Sequence, residues 1–141
     1  MASGKVYGAE WRIQEILTTP EVPFELHGCM LTVPVERKFG SVGAVHTYVD
    51  YVCRQQRTTT PDVVVNPRMF KQAHYRWGLI TMPNFEQARW AWRECVVLHE
   101  IAHHLSTGGH GPEFQKEFKN LLDTYIGPEV GWAYSVLNSG G

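Results

Sequence analysis

The stretch from Trp90 to Leu105 is the most apolar in the chain, with Trp92, Val96, Val97, Leu98, Ile101 and Ala102 falling on several sides of a helix. It also contains His99-Glu100-Ile101-Ala102-His103. A helix that is apolar all round is a buried one, and burying two imidazoles and a carboxylate without partners costs several kcal/mol. Whatever fold forms must give these three groups a common partner. Residues four apart project from one helical face, so His99 and His103 can reach a single metal ion. Glu100 lies about 100° around the helix from His99 and about 60° from His103. It can stand beside that ion without ligating it, hydrogen-bonded to water there.

A zinc ion needs a third protein ligand, and His110 meets the requirement. It follows His103 by seven residues, just past Gly108-Gly109, where positive φ lets the chain leave the helix and turn back. Pro112, suited to the first turn of a new helix, follows it. A carboxylate on that next helix, Glu113 or Glu117, is the rival third ligand. Three protein ligands plus water is the catalytic zinc pattern. Glu113, Glu117 and Asp123 are candidates to accept the second ring N–H of a ligating histidine, a solvated helix face being the expectation for each. Tyr125 and Tyr134 are candidate donors to a developing oxyanion, core packing being the expectation for each. His104 points away from the ligand face, and Cys95, one turn before His99, is expected to pack as a small hydrophobe. His27, His46 and His74 have no ligand spacing to anything.

Around this helix the pattern predicts an α+β domain spanning residues 1–141. Val6, Ala9, Ile13, Ile16 and Leu17 share a face of a helix over 5–17, and 19–23 breaks it. Residues 24–35 read as a strand or hairpin around Gly28, and 41–55 as a second helix. Pro61 and Pro67 bracket a short strand at 62–66. Residues 74–82 alternate as one strand, expected to run antiparallel to the preceding one. The motif helix is expected from about 86 to 106. A further helix starts at Pro112 and carries Phe114 and Phe118, and a short one covers 129–137.

Composition narrows the class. The 141 residues are 43% hydrophobic and 19% charged, the balance of a soluble globular chain. No run approaches the ~18 apolar residues of a membrane span, and the first residues carry no signal-peptide core. Three cysteines with no CxxC pair argue against a disulfide framework and fit a cytoplasmic setting. The net charge of −1 excludes a wholly basic nucleic-acid wrapper. Residues 37–93 nevertheless hold nine Lys/Arg against three acids, while both flanks are acidic.

HEIAHHL-STGG-HGPEF-QKEF, from His99 to Phe118, resembles the active-site signature of the SprT-like zincin metalloproteases, in which HGxxF opens the helix after HExxH. It is also similar to small HExxH metallohydrolases of bacteria and their phages. The resemblance implies a minimal zincin-like fold with a small, partly antiparallel sheet packed on the HExxH helix. It further implies Zn2+ at His99, His103 and His110, with Glu100 as general base. The strand at 75–81 resembles the zincin edge strand that holds extended peptide, with Gly78 permitting close approach. A metzincin fits less well, because its third histidine comes one residue earlier and every methionine here precedes the motif. The expected activity is a metallopeptidase acting on peptide or protein. The alternatives are a zinc hydrolase of a non-peptide amide or phosphodiester, for which the basic middle segment would suit nucleic acid, and a non-catalytic zinc-binding module.

Overall fold

The computed structural model describes the backbone of residues 2–139 and the side chains of 8–139. Helix α1 (Ala2–Thr18) buries Ala9, Ile13, Ile16 and Leu17 against α5 (Pro128–Ser139). Val6, assigned by its spacing to the same face, lies outside the described side chains. Strands β1 (Phe24–Leu26) and β2 (Cys29–Leu31) form an antiparallel hairpin, as expected around Gly28. His27 and Gly28 both take positive φ (49° and 78°), the two-residue turn whose twist matches a hairpin. Helix α2 (Val42–Gln55) starts where Ser41 Oγ accepts the Ala44 N–H at 3.1 Å. It buries Val45, Tyr48, Val49, Val52 and Cys53. Its β-branched content is tolerated because that whole face packs in the core.

The central sheet departs from expectation. Residues 74–82 are two strands rather than one: β4 (His74–Arg76) and β5 (Leu79–Met82), paired antiparallel. Trp77 and Gly78, at φ 50° and 78°, fold the chain back on itself. The alternation of side chains runs straight through this turn, so periodicity alone does not reveal it. The strand order is β3-β5-β4, with β3 at Asp62–Val65. β3 therefore pairs with β5 in parallel, not antiparallel to its successor. β4 does run opposite to β3, but β5 has been inserted between them, which leaves β4 at the sheet edge.

The motif helix is also shorter than expected. It is α3 (Glu94–Leu105), preceded by a single 3-10 turn at Arg89–Ala91. Of the apolar residues expected to be buried before it, Ala91 and Trp92 are buried from an irregular segment, whereas Trp90 is 48% exposed. Backbone pairing with the 36–39 segment prevents the helix from extending back to residue 86. Phe39 N–H donates to Trp92 O, and Glu94 N–H to Arg37 O, both at 2.9 Å. Arg93 is accordingly extended (φ −138°, ψ 156°).

Two buried carboxylates lock this junction. Glu36 accepts from Arg93 Nε at 2.6 Å and from the Cys95 N–H at 2.9 Å, and Arg93 also donates to Gln14 O of α1 at 3.0 Å. Glu94 accepts from Arg37 N–H at 3.0 Å, from Arg37 Nη1 at 2.9 Å and from the Tyr48 hydroxyl of α2. Both carboxylates meet N–H groups or cations at the start of α3, where the helix dipole favours negative charge. From this anchor α3 runs through the core and packs on α4 (Pro112–Leu121), α2 and β4. A π-helical turn at Leu122–Ile126 links α4 to α5. All three cysteines are free thiols: Cys29 is exposed, and Cys53 and Cys95 are buried. Burial pushes the Cys53 thiol up to about 11 and raises that of Cys95 as well. No helix among the described residues is long and apolar enough to cross a membrane.

Glu36→Ala removes the acceptor of a guanidinium that is only 12% exposed and of a buried helix N–H. It should cost about 3–5 kcal/mol in urea unfolding, the range for breaking a buried ion pair. Arg54→Ala removes an exposed pair with Asp50 and should cost less than about 1 kcal/mol. Equal losses would show that Glu36 does not anchor α3.

Candidate metal centre

His99, Glu100 and His103 project from α3, as their spacing predicts. Past Leu105 the chain reverses at Gly108 and Gly109, both at positive φ (78° and 72°). The return loop is pinned at several points. Ser106 Oγ donates to Ala102 O at 2.7 Å, and Gln115 Nε2 to His110 O at 3.1 Å. Thr107 donates its N–H and, at 3.1 Å, its hydroxyl to the Glu113 carboxylate. Pro112 then opens α4 as expected. The outcome is that His110 is carried back beside the helix it has just left.

The three Nε2 atoms form a nearly equilateral triangle. The separations are 3.2 Å for His99–His103, 3.1 Å for His103–His110 and 3.2 Å for His110–His99. Hydrogen bonding cannot account for this arrangement. A given imidazole Nε2 is either donor or acceptor, so among three mutual contacts at least two nitrogens of one kind must face each other. A shared cation satisfies all three lone pairs. Zinc–nitrogen distances of about 2.0–2.1 Å place tetrahedral ligand nitrogens about 3.4 Å apart, close to the observed triangle. The three histidines thus form a cluster that can hold a metal ion. Phe114, on the first turns of α4, lies within 4.5–5.0 Å of all three ring centroids and fixes the rings by packing.

The electrostatics agree with a ligand set. Burial, reinforced by its two neighbouring imidazoles, lowers the His103 pKa to about 3. Burial and then His99 lower that of His110. Both rings therefore keep their lone pairs at neutral pH. Burial also acts to lower the His99 pKa, but the hydrogen bond to Glu10 and the charges of Glu100 and Glu10 outweigh it and raise the value. Glu100 is 4% exposed. Burial raises its pKa to about 7; the His99 charge opposes the rise and the Glu10 charge adds to it.

Glu10 is the functional residue that motif reasoning misses. It comes from α1, 89 positions before His99, and its Oε2 lies 3.1 Å from His99 Nδ1. That contact holds the proton on Nδ1 and leaves Nε2 free to ligate, the usual carboxylate–histidine arrangement at metal sites. The signal in the sequence is a charged residue at the border of an apolar stripe. Glu10 falls about 20° past Leu17 on the helical wheel, where a buried acid requires a partner.

The candidate acids of the sequence act elsewhere. Glu113 secures the Thr107 loop, Asp123 pairs with Lys119 Nζ at 2.7 Å, and Glu117 is half-buried on α4 outside the cluster. Neither Glu113 nor Glu117 joins the histidine cluster among the described residues. Neither tyrosine lines the cleft. Tyr125 donates to Gln55 of α2 at 2.7 Å, and Tyr134 is fully buried with its ring against Phe118. His104 is a strut: its Nδ1 lies 2.8 Å from Tyr75 Oη and its Nε2 2.7 Å from Thr59 O. Cys95 packs in the core as expected. Gly78 serves the β4–β5 turn rather than a close approach of substrate, and its N–H donates to Tyr75 Oη at 2.9 Å.

The three histidines and Glu100 line an open cleft of about 440 Å³. Trp11 and Gln14 of α1 form one part of its wall, together with Trp90. Gln72, Ala73 and His74 at the free edge of the sheet form another. His74, which has no ligand spacing in the sequence, therefore reaches the site as part of its wall. Comparison with known proteins returns no matching family model, no matching curated protein and no matching solved structure.

Metal analysis of the purified chain should find one ion, lost in His110→Ala and kept in Glu113→Ala. Glu10→Gln should retain the ion with affinity reduced about 10- to 100-fold in competition with a chromophoric chelator. Unchanged affinity would remove Glu10 from the centre.

Proposed function

We propose that this chain is a zinc-dependent metallohydrolase whose reaction is the cleavage of peptide bonds. The observation that carries the reading is the convergence of three Nε2 atoms and the buried Glu100 carboxylate on one open cleft. The ligand set comprises three histidines, with no fourth His, Cys, Asp or Glu joining them among the described residues. Three protein ligands with a position left for water is the pattern of hydrolytic zinc sites, whereas structural sites are closed by four. That count favours an enzyme over a zinc-binding interaction module.

When bound, zinc supplies a Lewis acid that makes water acidic near neutral pH and polarises a carbonyl. The remaining work falls to the chain. Glu100 accepts a proton from the attacking water as the new C–O bond forms. It then passes that proton to the nitrogen as the C–N bond breaks, so the amine leaves neutral. Glu10 keeps His99 in the ligating tautomer throughout. The Phe114 ring and the core beneath α3 exclude water from the far side of the imidazoles.

Peptide is favoured as substrate by the sheet topology. β4 is an edge strand, and the residues leading into it line the cleft. A strand edge offers backbone donors and acceptors at the spacing of an extended peptide, which can add to it as a further strand. This is the feature in which the chain is most similar to zincin peptidases, together with HExxH and HGPEF.

Glu100→Gln should keep the metal and lose about 10²- to 10⁴-fold in turnover of denatured protein or a peptide library. His103→Ala should lose both metal and activity. Full activity in Glu100→Gln would overturn the mechanism.

A further inference from the structure

The cleft does not end at the metal. A second depression, lined by Arg68, Phe70 and Lys71, shares Gln72 and His74 with it, so one groove continues along the approach to β4. Its two ends differ in character. At the metal end the walls carry Trp11 and Trp90, large aromatics left 65% and 48% exposed. The carboxylates there, Glu10 and Glu100, are both buried. At the far end Arg68 and Lys71 are exposed, and neither has an ion-pair partner among the described residues. The lining of that end contains no acid. Phe70, at 57% exposure, adds apolar surface between the two cations.

From this we infer that the groove selects an extended polypeptide segment with a large apolar side chain beside the cleaved bond and an acidic side chain a few residues away. This substrate class rests on the peptidase reading above. Trp11 and Trp90 supply the apolar contact at the metal end, and Arg68 and Lys71 supply charge complementarity at the far end. A single-stranded nucleic acid is the other ligand that aromatic and basic surface can hold. It fits this groove less well, because a phosphate backbone carries charge at every residue, whereas the lining of the metal end contains no lysine or arginine to meet it. A peptide can place its charge at the cations alone.

The test is fluorescence anisotropy with the metal-loaded Glu100→Gln chain, which binds without turning over. Three probes are compared: a labelled peptide combining one Phe with acidic residues, its lysine-for-acid counterpart, and an oligothymidine. At low salt the acidic peptide should bind about tenfold more tightly than its counterpart, and the difference should shrink as salt screens it. Arg68→Glu/Lys71→Glu should reverse the preference. Trp11→Ala should weaken both peptides while leaving their ratio intact. Equal binding of the two peptides, or tighter binding of oligothymidine that the double variant abolishes, would overturn the inference. Cleavage by the wild-type chain separates this from the reading it rests on. An acidic peptide that binds selectively but is never cut rejects the peptidase and leaves the docking surface. Cleavage indifferent to acids does the reverse.

Discussion

Everything at the metal centre depends on holding α3 in the core at a fixed depth and rotation, and Glu36 and Glu94 accomplish this. Both are less than 4% exposed, and their oxygens accept from the Cys95 N–H in the first turn of the helix, from the Arg93 and Arg37 guanidiniums, from the Arg37 N–H and from the α2 hydroxyl of Tyr48. A buried carboxylate is tolerated when its lone pairs are filled and it faces the positive end of a helix. Because Arg93 also reaches Gln14 of α1, one network positions three segments that are distant in sequence. A slip of one residue at this anchor would rotate His99 and His103 by about 100°, away from His110.

The same helix α1 contributes to the other end of the arrangement. Gln14 receives Arg93, and one turn earlier Glu10 receives His99 Nδ1–H. The burial that excludes water from the imidazoles also raises the cost of charge around them. Placing Glu10 against His99 offsets that cost at one ring and adds to it at Glu100, whose pKa rises to about 7 under burial and the Glu10 charge. Two carboxylates in one cleft thus take different tasks: one is bound to an imidazole and fixed, and the other is left able to exchange a proton.

His99, Glu100, His103 and His110 are legible in the sequence because their geometry is local. Helical spacing and a Gly-Gly reversal place them, and neither depends on the rest of the fold. Glu10 is not legible from the motif, because its partner lies 89 residues away and only tertiary packing brings α1 across α3. Its place at the border of an apolar stripe signals that a partner exists without naming it. The β4–β5 turn is missed for a different reason: Trp77-Gly78 preserves the alternation of side chains while reversing the chain. The overlong motif helix reflects the same limit. Residues 86–93 carry the apolar content of a helix, but Trp92 O accepts the Phe39 N–H and Glu94 N–H donates to Arg37 O, pairings that no local pattern reports.

The cleft needs a further constraint, since an edge strand is useful only at a fixed distance from the metal. His104 provides one. Thr59 O can only accept, so His104 Nε2 donates to it, and His104 Nδ1 meets the Tyr75 hydroxyl at 2.8 Å. Tyr75 Oη in turn accepts the Gly78 N–H of the turn. This chain of donors runs from the β4–β5 hairpin through β4 to α3 and on to the segment before β3. The residue next to a metal ligand therefore ties the strand edge to the ligand helix. The step that separates His104 from the metal face is what aims it at the sheet: adjacent histidines on a helix diverge by about 100°. HEIAHH accordingly carries two roles in six residues, with one face gathering histidines that can hold a metal ion and the other tying the helix to the sheet edge.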